Sequence, residues 1–193
     1  GTGKRGERQY LKTLASFCSE SARVSSEDEL FSTVLDHLQQ LIQADRMFII
    51  QGKTADDLAV VVQRSTTRIG AGPPPSRGIL RRVMYSLSDR PFVTSDAQSE
   101  KGISERSSIV LSDVRSVVCV GLMARKSCEG MIYVDKLGPE SPFSEEDEHF
   151  LHVVGLVTAA RLATLRARSE VENLQAELET RSELEGLKPV DLT

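Results

Sequence analysis

Residues 116–135 read SVVCVGLMARKSCEGMIYVD, two apolar runs joined by a short turn at Arg125, Lys126 and Ser127. Both runs are rich in residues that suit strands, and so short a connection leaves only adjacent antiparallel strands. Side chains alternate between the two faces of a strand. Val118, Val120 and Leu122 therefore share one face, while Val117, Cys119, Gly121 and Met123 share the other. On the second strand Ile132 and Val134 face away from Met131, Tyr133 and Asp135. Neither face is polar throughout. The pattern predicts a central hairpin covered on both sides, by helices on one and by a ligand or more protein on the other.

Downstream, Gly138 to Pro142 punctuates the exit, and Ser144 followed by Glu145, Glu146, Asp147 and Glu148 opens a helix with acids at its positive end. From there to about Glu185 no proline occurs and Gly155 is the sole interior glycine. At roughly 1.5 Å per residue such a helix is about 60 Å long, more than a small domain can cover. Phe150, Val153, Val157, Ala160, Thr164, Ala167, Val171, Leu174 and Leu178 recur in alternating three- and four-residue steps, the spacing of a coiled-coil seam. Leu151, Val154, Leu162 and Leu165 form an adjacent stripe suited to covering the domain itself.

Past about Arg168 the segment is mostly charged except at seam positions, so a partner helix is the simplest way to shield it. Arg181 and Glu185 would occupy seam positions, so the coil slips at Leu184 or ends there. The small residues Ala160, Thr164 and Ala167 permit close helix approach, and Tyr10, Leu14 and Phe17 supply larger side chains around them. Two copies would then build a four-helix bundle, each giving its first and last helices.

Upstream of the hairpin, Tyr10, Leu11, Leu14, Phe17 and Cys18 recur at helical spacing, predicting a first helix to about Val24. Gly1-Thr2-Gly3 reads as a tag remnant, and residues 1–9 as remnant or frayed linker. Ser25 or Ser26 ahead of Glu27, Asp28 and Glu29 signals a second helix, whose Leu30, Phe31, Val34, Leu35, Leu38, Leu41 and Ile42 face the sheet. Strands follow at Arg46–Ile50 and Leu58–Gln63. Gly70 to Pro75 breaks regular structure, and Ser76 caps a third helix to Ser86 with Ile79, Leu80, Val83 and Leu87 inward. Arg90 to Thr94 makes a short strand, and Ser107 to Leu111 a short helix or turn.

At 193 residues, with 39% hydrophobic and 27% charged residues, the chain suits one well-filled soluble core and a projecting coil. We expect a domain over 10–168, a signalling coil over 169–185 and a disordered tail over 186–193. The formal charge of -4 argues against a general nucleic-acid surface, and the lack of Trp against a base-stacking platform. Cys18, Cys119 and Cys128 have no zinc or CxxC spacing, and their odd count suggests reduced thiols in a cytoplasmic protein. In a tight hairpin Cys128 falls opposite Met123, so the two strand cysteines are not natural disulfide partners. Neither a membrane span nor a signal peptide is evident.

Catalytic signals are weak. His37, His149 and His152 all fall in predicted helices, without a nucleophile and orienting group beside them. His149 and His152 could touch one metal, but no third ligand is evident. No GxxxxGK[ST] occurs, and Gly70-Ala-Gly72 followed by prolines cannot form a phosphate cradle. Arg77, Arg81 and Arg82 make a small basic cluster that reads either as an anion site or as a solvated face. The expectation is a protein that is not an enzyme.

Arg115-Ser-Val-Val-Cys-Val-Gly-Leu122, the basic turn, Glu129-Gly-Met-Ile-Tyr-Val-Asp135 and Phe143-Ser-Glu-Glu-Asp147 before a long helix resemble the second half of a GAF domain. The first two helices and the strand from Arg46 fit the first half, so the resemblance spans roughly 8–168. It implies an α+β fold: a central antiparallel sheet of five or six strands, helices from both termini on one face, and a pocket on the other. The pattern is similar to regulatory GAF modules of bacterial transcription activators and signalling proteins. Gly121 stands where the family often has proline, the Asn-Lys-Phe-Asp-Glu series of cyclic-nucleotide-binding members is missing, and Cys119 and Cys128 do not match a bilin-attachment pair.

Topology and resemblance together place a ligand site in loops above the sheet, at Ser95, Asp96, Arg106 and Ser107, over a floor of Cys119, Met131 and Tyr133. A filled interior without a ligand is the alternative. The expected role is a sensor and dimerisation module that relays ligand or partner state to an output domain. A homodimer with no effector, or a redox sensor using Cys119 or Cys128, are the competing readings. Tyr10, Leu14, Phe17, Val157, Ala160, Thr164, Ala167, Val171, Leu174 and Leu178 are the expected dimer contacts. No cofactor is assigned, and no membrane or direct nucleic-acid partner is expected.

Overall fold

The computed structural model describes residues 2–66, 74–95, 114–124, 127–137 and 142–186. Helix α1 spans Thr2–Ser21 and α2 Glu27–Leu41, followed by strands β1 (Arg46–Gln51) and β2 (Ala59–Ser65). Helix α3 covers Arg77–Ser86 and β3 Phe92–Thr94. The central hairpin is β4 (Val114–Ala124) and β5 (Ser127–Leu137), and α4 runs from Glu145 to Gly186. The five strands form one sheet in the order β2-β1-β5-β4-β3, and every pairing is antiparallel.

Local signals set the helix starts. Ser26 accepts from the Glu29 amide and Ser76 from the Ile79 amide, each closing an orphan donor of a first turn. Glu29 reaches back to the Ser25 amide at 2.8 Å, completing a side-chain lock around that turn. At the start of α4, Ser144 and Asp147 exchange hydrogen bonds, the Ser144 amide to Asp147 Oδ2 at 3.0 Å and the Asp147 amide to Ser144 Oγ at 3.1 Å. The largest boundary difference from the sequence expectation is in α1, which begins at Thr2 rather than near Tyr10. Residues 2–9 contain no proline to stop the helix, although Gly3 and Gly6 are poor helix formers.

Alternation along the hairpin sorts two cores. Val118, Val120, Leu122, Ile132 and Val134 meet Met47 and Ile49 of β1 and the inner faces of α1, α2 and α4. Val117, Cys119, Met131, Tyr133, Phe48 and Ile50 fill the opposite side beneath Ile79, Leu80, Val83 and Met84 of α3. Leu151, Val154, Leu162 and Leu165 fasten α4 to the first core. A Cβ on Gly155 would come within 3.0 Å of Val120, so the missing side chain is what lets α4 lie this close to β4.

The hairpin carries a register shift. Gly121 pairs with Met131 and Met123 with Cys128, so Leu122 alone faces both Glu129 and Gly130. That extra residue is a β-bulge on β5, a device that re-aims a side chain. It keeps Cys128 and Met131 in the same core although they are an odd number of residues apart.

Candidate functional site

Two regions stand out: the sheet face beneath α3, and the outer surface of α1 and α4. On the sheet face, Cys119, Met131 and Tyr133 do converge, and all are fully or almost fully buried. Over the described residues this floor is packed against α3. Ser95 is exposed just beyond β3. Asp96, Arg106 and Ser107 lie outside the described residues, as does the segment Ser107 to Leu111.

Sequence reasoning missed the polar group at the end of this floor. Arg46 lies opposite Asp135 on the neighbouring strand. Its Nε donates to Asp135 Oδ1 at 3.0 Å and Nη2 to Oδ2 at 2.5 Å, with both side chains shielded from water. The guanidinium carbon also sits 5.3 Å from the Phe48 ring centre, and Phe48 meets Tyr133 edge-on at 5.9 Å. Burial pushes the Asp135 carboxyl above its ordinary value, and Arg46 pulls against that push. Tyr133 is raised strongly, by burial first and by the nearby Asp135 charge second. Ser76 and Thr94 are further buried polar residues.

The two buried strand thiols, Cys119 and Cys128, are poorly placed to act as nucleophiles. Burial pushes Cys119 far above its usual range, and Cys128 is raised for the same reason while its Sγ lies 3.2 Å from the Gly130 carbonyl. A protonated, buried thiol attacks slowly. All three cysteines are free, and Cys18 alone is exposed. Among the described residues no group of three or more His, Cys, Asp or Glu is placed to hold a metal ion. His37 is buried, with Nδ1 2.8 Å from the Thr33 carbonyl. Arg81 pairs with Asp56 at 2.7 Å and Arg82 lies over the Phe92 ring, so these cations have local neighbours.

On the helical face the expected contacts divide. Val171, Leu174 and Leu178 are 53%, 53% and 66% exposed, and Ala160, Thr164 and Ala167 are exposed as well. Val157, Tyr10 and Leu14 are half-buried against the first core. Tyr10 donates to Asp147 at 2.8 Å and meets Phe150 edge-on. Phe17 must be corrected. It is fully buried, edge-on to His37, and its side chain serves the chain's own core rather than an outer contact. Phe150 likewise turns inward. Outside these, Leu11, Leu156 and Val153 are exposed, the last with Leu11 lining a groove of about 340 Å³ between α1 and α4. Of these, Leu156 is the one that the seam spacing does not predict, because it lies one step off Val157.

With this architecture in view, the comparisons are specific. The GAF domain family matches residues 26–162, and the chain belongs to that family. GAF domains serve as sensory and regulatory modules in signalling proteins, which gives this chain its class. No curated protein sequence matches. Among solved structures, the GAF domain of a phosphoenolpyruvate-protein phosphotransferase from Coxiella burnetii aligns with TM-score 0.65 at 16% identity, over 83% of this chain and 96% of that one. The chromophore-binding domain of a bacteriophytochrome from R. palustris aligns with TM-score 0.68 at 13% identity, over 86% of this chain and 64% of that one. A free methionine-R-sulfoxide reductase from Neisseria meningitidis, solved with its substrate, aligns with TM-score 0.65 at 17% identity, over 82% and 91%. At these identities the likeness is one of fold.

Proposed function

We propose that this chain is a non-catalytic regulatory module that dimerises through α1 and α4 and passes the state of its far sheet face to an output domain. The observation that carries this is the outer half of α4. From Ala167 to Leu184 every residue is exposed, yet Val171, Leu174 and Leu178 keep seam spacing there. An apolar side chain moved from water into a core contributes about 1.5–3 kcal/mol, and a second copy offers that burial along the whole stripe. The occupant of the far face is a small-molecule effector or a protein segment over the Cys119, Met131 and Tyr133 floor, with Ser95, Asp96, Arg106 and Ser107 as the polar contacts expected from the sequence. Its binding would shift the pitch or spacing of the paired helices. Protonated thiols support a sensor without redox or nucleophilic chemistry, and free cysteines suit a cytoplasmic setting.

A second reading rests on the packing of that floor against α3, which favours a homodimerisation domain with no effector. Native mass spectrometry of freshly purified protein, paired with thermal shifts across cyclic nucleotides and metabolites, separates the two. Retained extra mass or a saturable shift supports sensing. A dimer that carries no mass and answers to no compound supports the structural reading.

A further inference from the structure

Arg166 is part-buried and stands just before the stretch from Ala167 to Leu184 in which every residue of α4 is exposed. Its Nε donates to Glu27 Oε1 at 2.8 Å and its Nη2 to Glu27 Oε2 at 3.2 Å, a bidentate grip on the first turn of α2. Nη1 donates to Glu129 on β5. Glu27 in turn accepts from Gln51 at the end of β1 at 2.9 Å, and Glu129 from Ser127 in the hairpin. One turn earlier, Arg161 Nη2 donates to the Val24 carbonyl at 2.5 Å, in the link between α1 and α2.

The β5 bulge makes this junction possible. With a single extra residue opposite Leu122, Glu129 meets α4 on the helical side, while Cys128 and Met131 stay on the far side. A Cβ on Gly130 would come within 2.9 Å of the Ile50 carbonyl oxygen, so the bulge also needs a residue without a side chain at that place. Strand β5 thus carries the floor of the far face and, a few residues away, an acid that grips α4 where it leaves the body.

We infer that Arg166, held between Glu27 and Glu129, is the joint that couples β5 to the projecting half of α4. It is a positioning residue: it sets the exit angle of the coil, and a displacement of β5 reaches the coil through the Glu129 contact. Three hydrogen bonds to two acids, Glu27 on α2 and Glu129 on β5, fix a single direction for the helix, whereas the exposed pair Arg168–Glu172 lies within α4 and fixes none. This rests on the relay proposed above, and adds the residues through which the relay acts.

The test is native-state hydrogen exchange on the full chain, with sedimentation velocity run on each variant. Arg166→Gln is expected to speed exchange of the amides around 163–170 and 128–131 about tenfold or more, while Arg168→Gln changes them less than about twofold. Glu129→Gln should accelerate the same amides, and adding it to Arg166→Gln should bring little more, the non-additivity of a shared contact. Arg166→Lys, which keeps the charge and loses the fork, should fall between. Should Arg166→Gln unfold the protein, the Glu129→Gln and Arg166→Lys variants carry the same comparison. Unchanged exchange at 128–131 in Arg166→Gln, or additive effects of the two substitutions, overturns the joint. Sedimentation reports the dimer separately, so loss of one does not imply loss of the other.

Discussion

Arg46 and Asp135 face each other across β1 and β5, 89 residues apart in sequence, and close a two-point ion pair almost out of reach of water. Taking either charge away leaves the other buried without its partner, at a cost of about 3–5 kcal/mol. Replacing both with apolar residues of similar size removes the desolvation penalty together with the attraction. Arg46→Met and Asp135→Leu should therefore each destabilise strongly, and the double variant should recover most of the loss. Urea unfolding of the four proteins checks this, and two costs that simply add would contradict it.

How far the sequence discloses such a site depends on range. The hairpin faces are readable because alternation is local: Val118 and Val120 against Val117 and Cys119 fall on the predicted sides. The Ser26 and Ser76 caps are readable for the same reason. The Arg46–Asp135 pair is not, since it exists only once β1 lies beside β5, a strand order that no local pattern states. The bulge at Glu129 and Gly130 is invisible too, because a regular alternation and a slipped one use the same residue types. Phe17 shares the helical spacing of Tyr10 and Leu14, which does not reveal that tertiary packing turns it into the chain's own core.

Burial gives the thiols distinct reactivities. Cys18 is exposed, while Cys119 and Cys128 are buried with raised pKa values. An excess of a thiol-reactive disulfide at neutral pH should label one cysteine per chain quickly, and peptide mapping should place it at Cys18. Cys119 and Cys128 should react only as fast as the protein opens. Prompt labelling of either would favour the redox reading.

Glu27 supplies a pH signature of the Arg166 junction. The Arg166 hydrogen bond lowers its carboxyl from the ordinary 4.5, against a smaller opposing push from burial. A depressed folded value means the stabilisation is full above the unfolded pKa and is lost as pH falls through the folded one. The stability gap between the native chain and Arg166→Gln should therefore be widest above pH 4.5 and close below it. Urea unfolding across about pH 3 to pH 6 reads the gap, and a gap independent of pH would contradict the assignment.

Leu174 carries the test of the central claim. It is 53% exposed, in step with Val171 and Leu178, on a stretch of α4 whose residues from Ala167 to Leu184 are all exposed. Sedimentation equilibrium at several concentrations should find the native protein as a dimer and Leu174→Asp as a folded monomer with unchanged circular dichroism of the globular body. A native chain that stays monomeric at high concentration, or a Leu174→Asp variant that keeps the same dimer, would contradict the account.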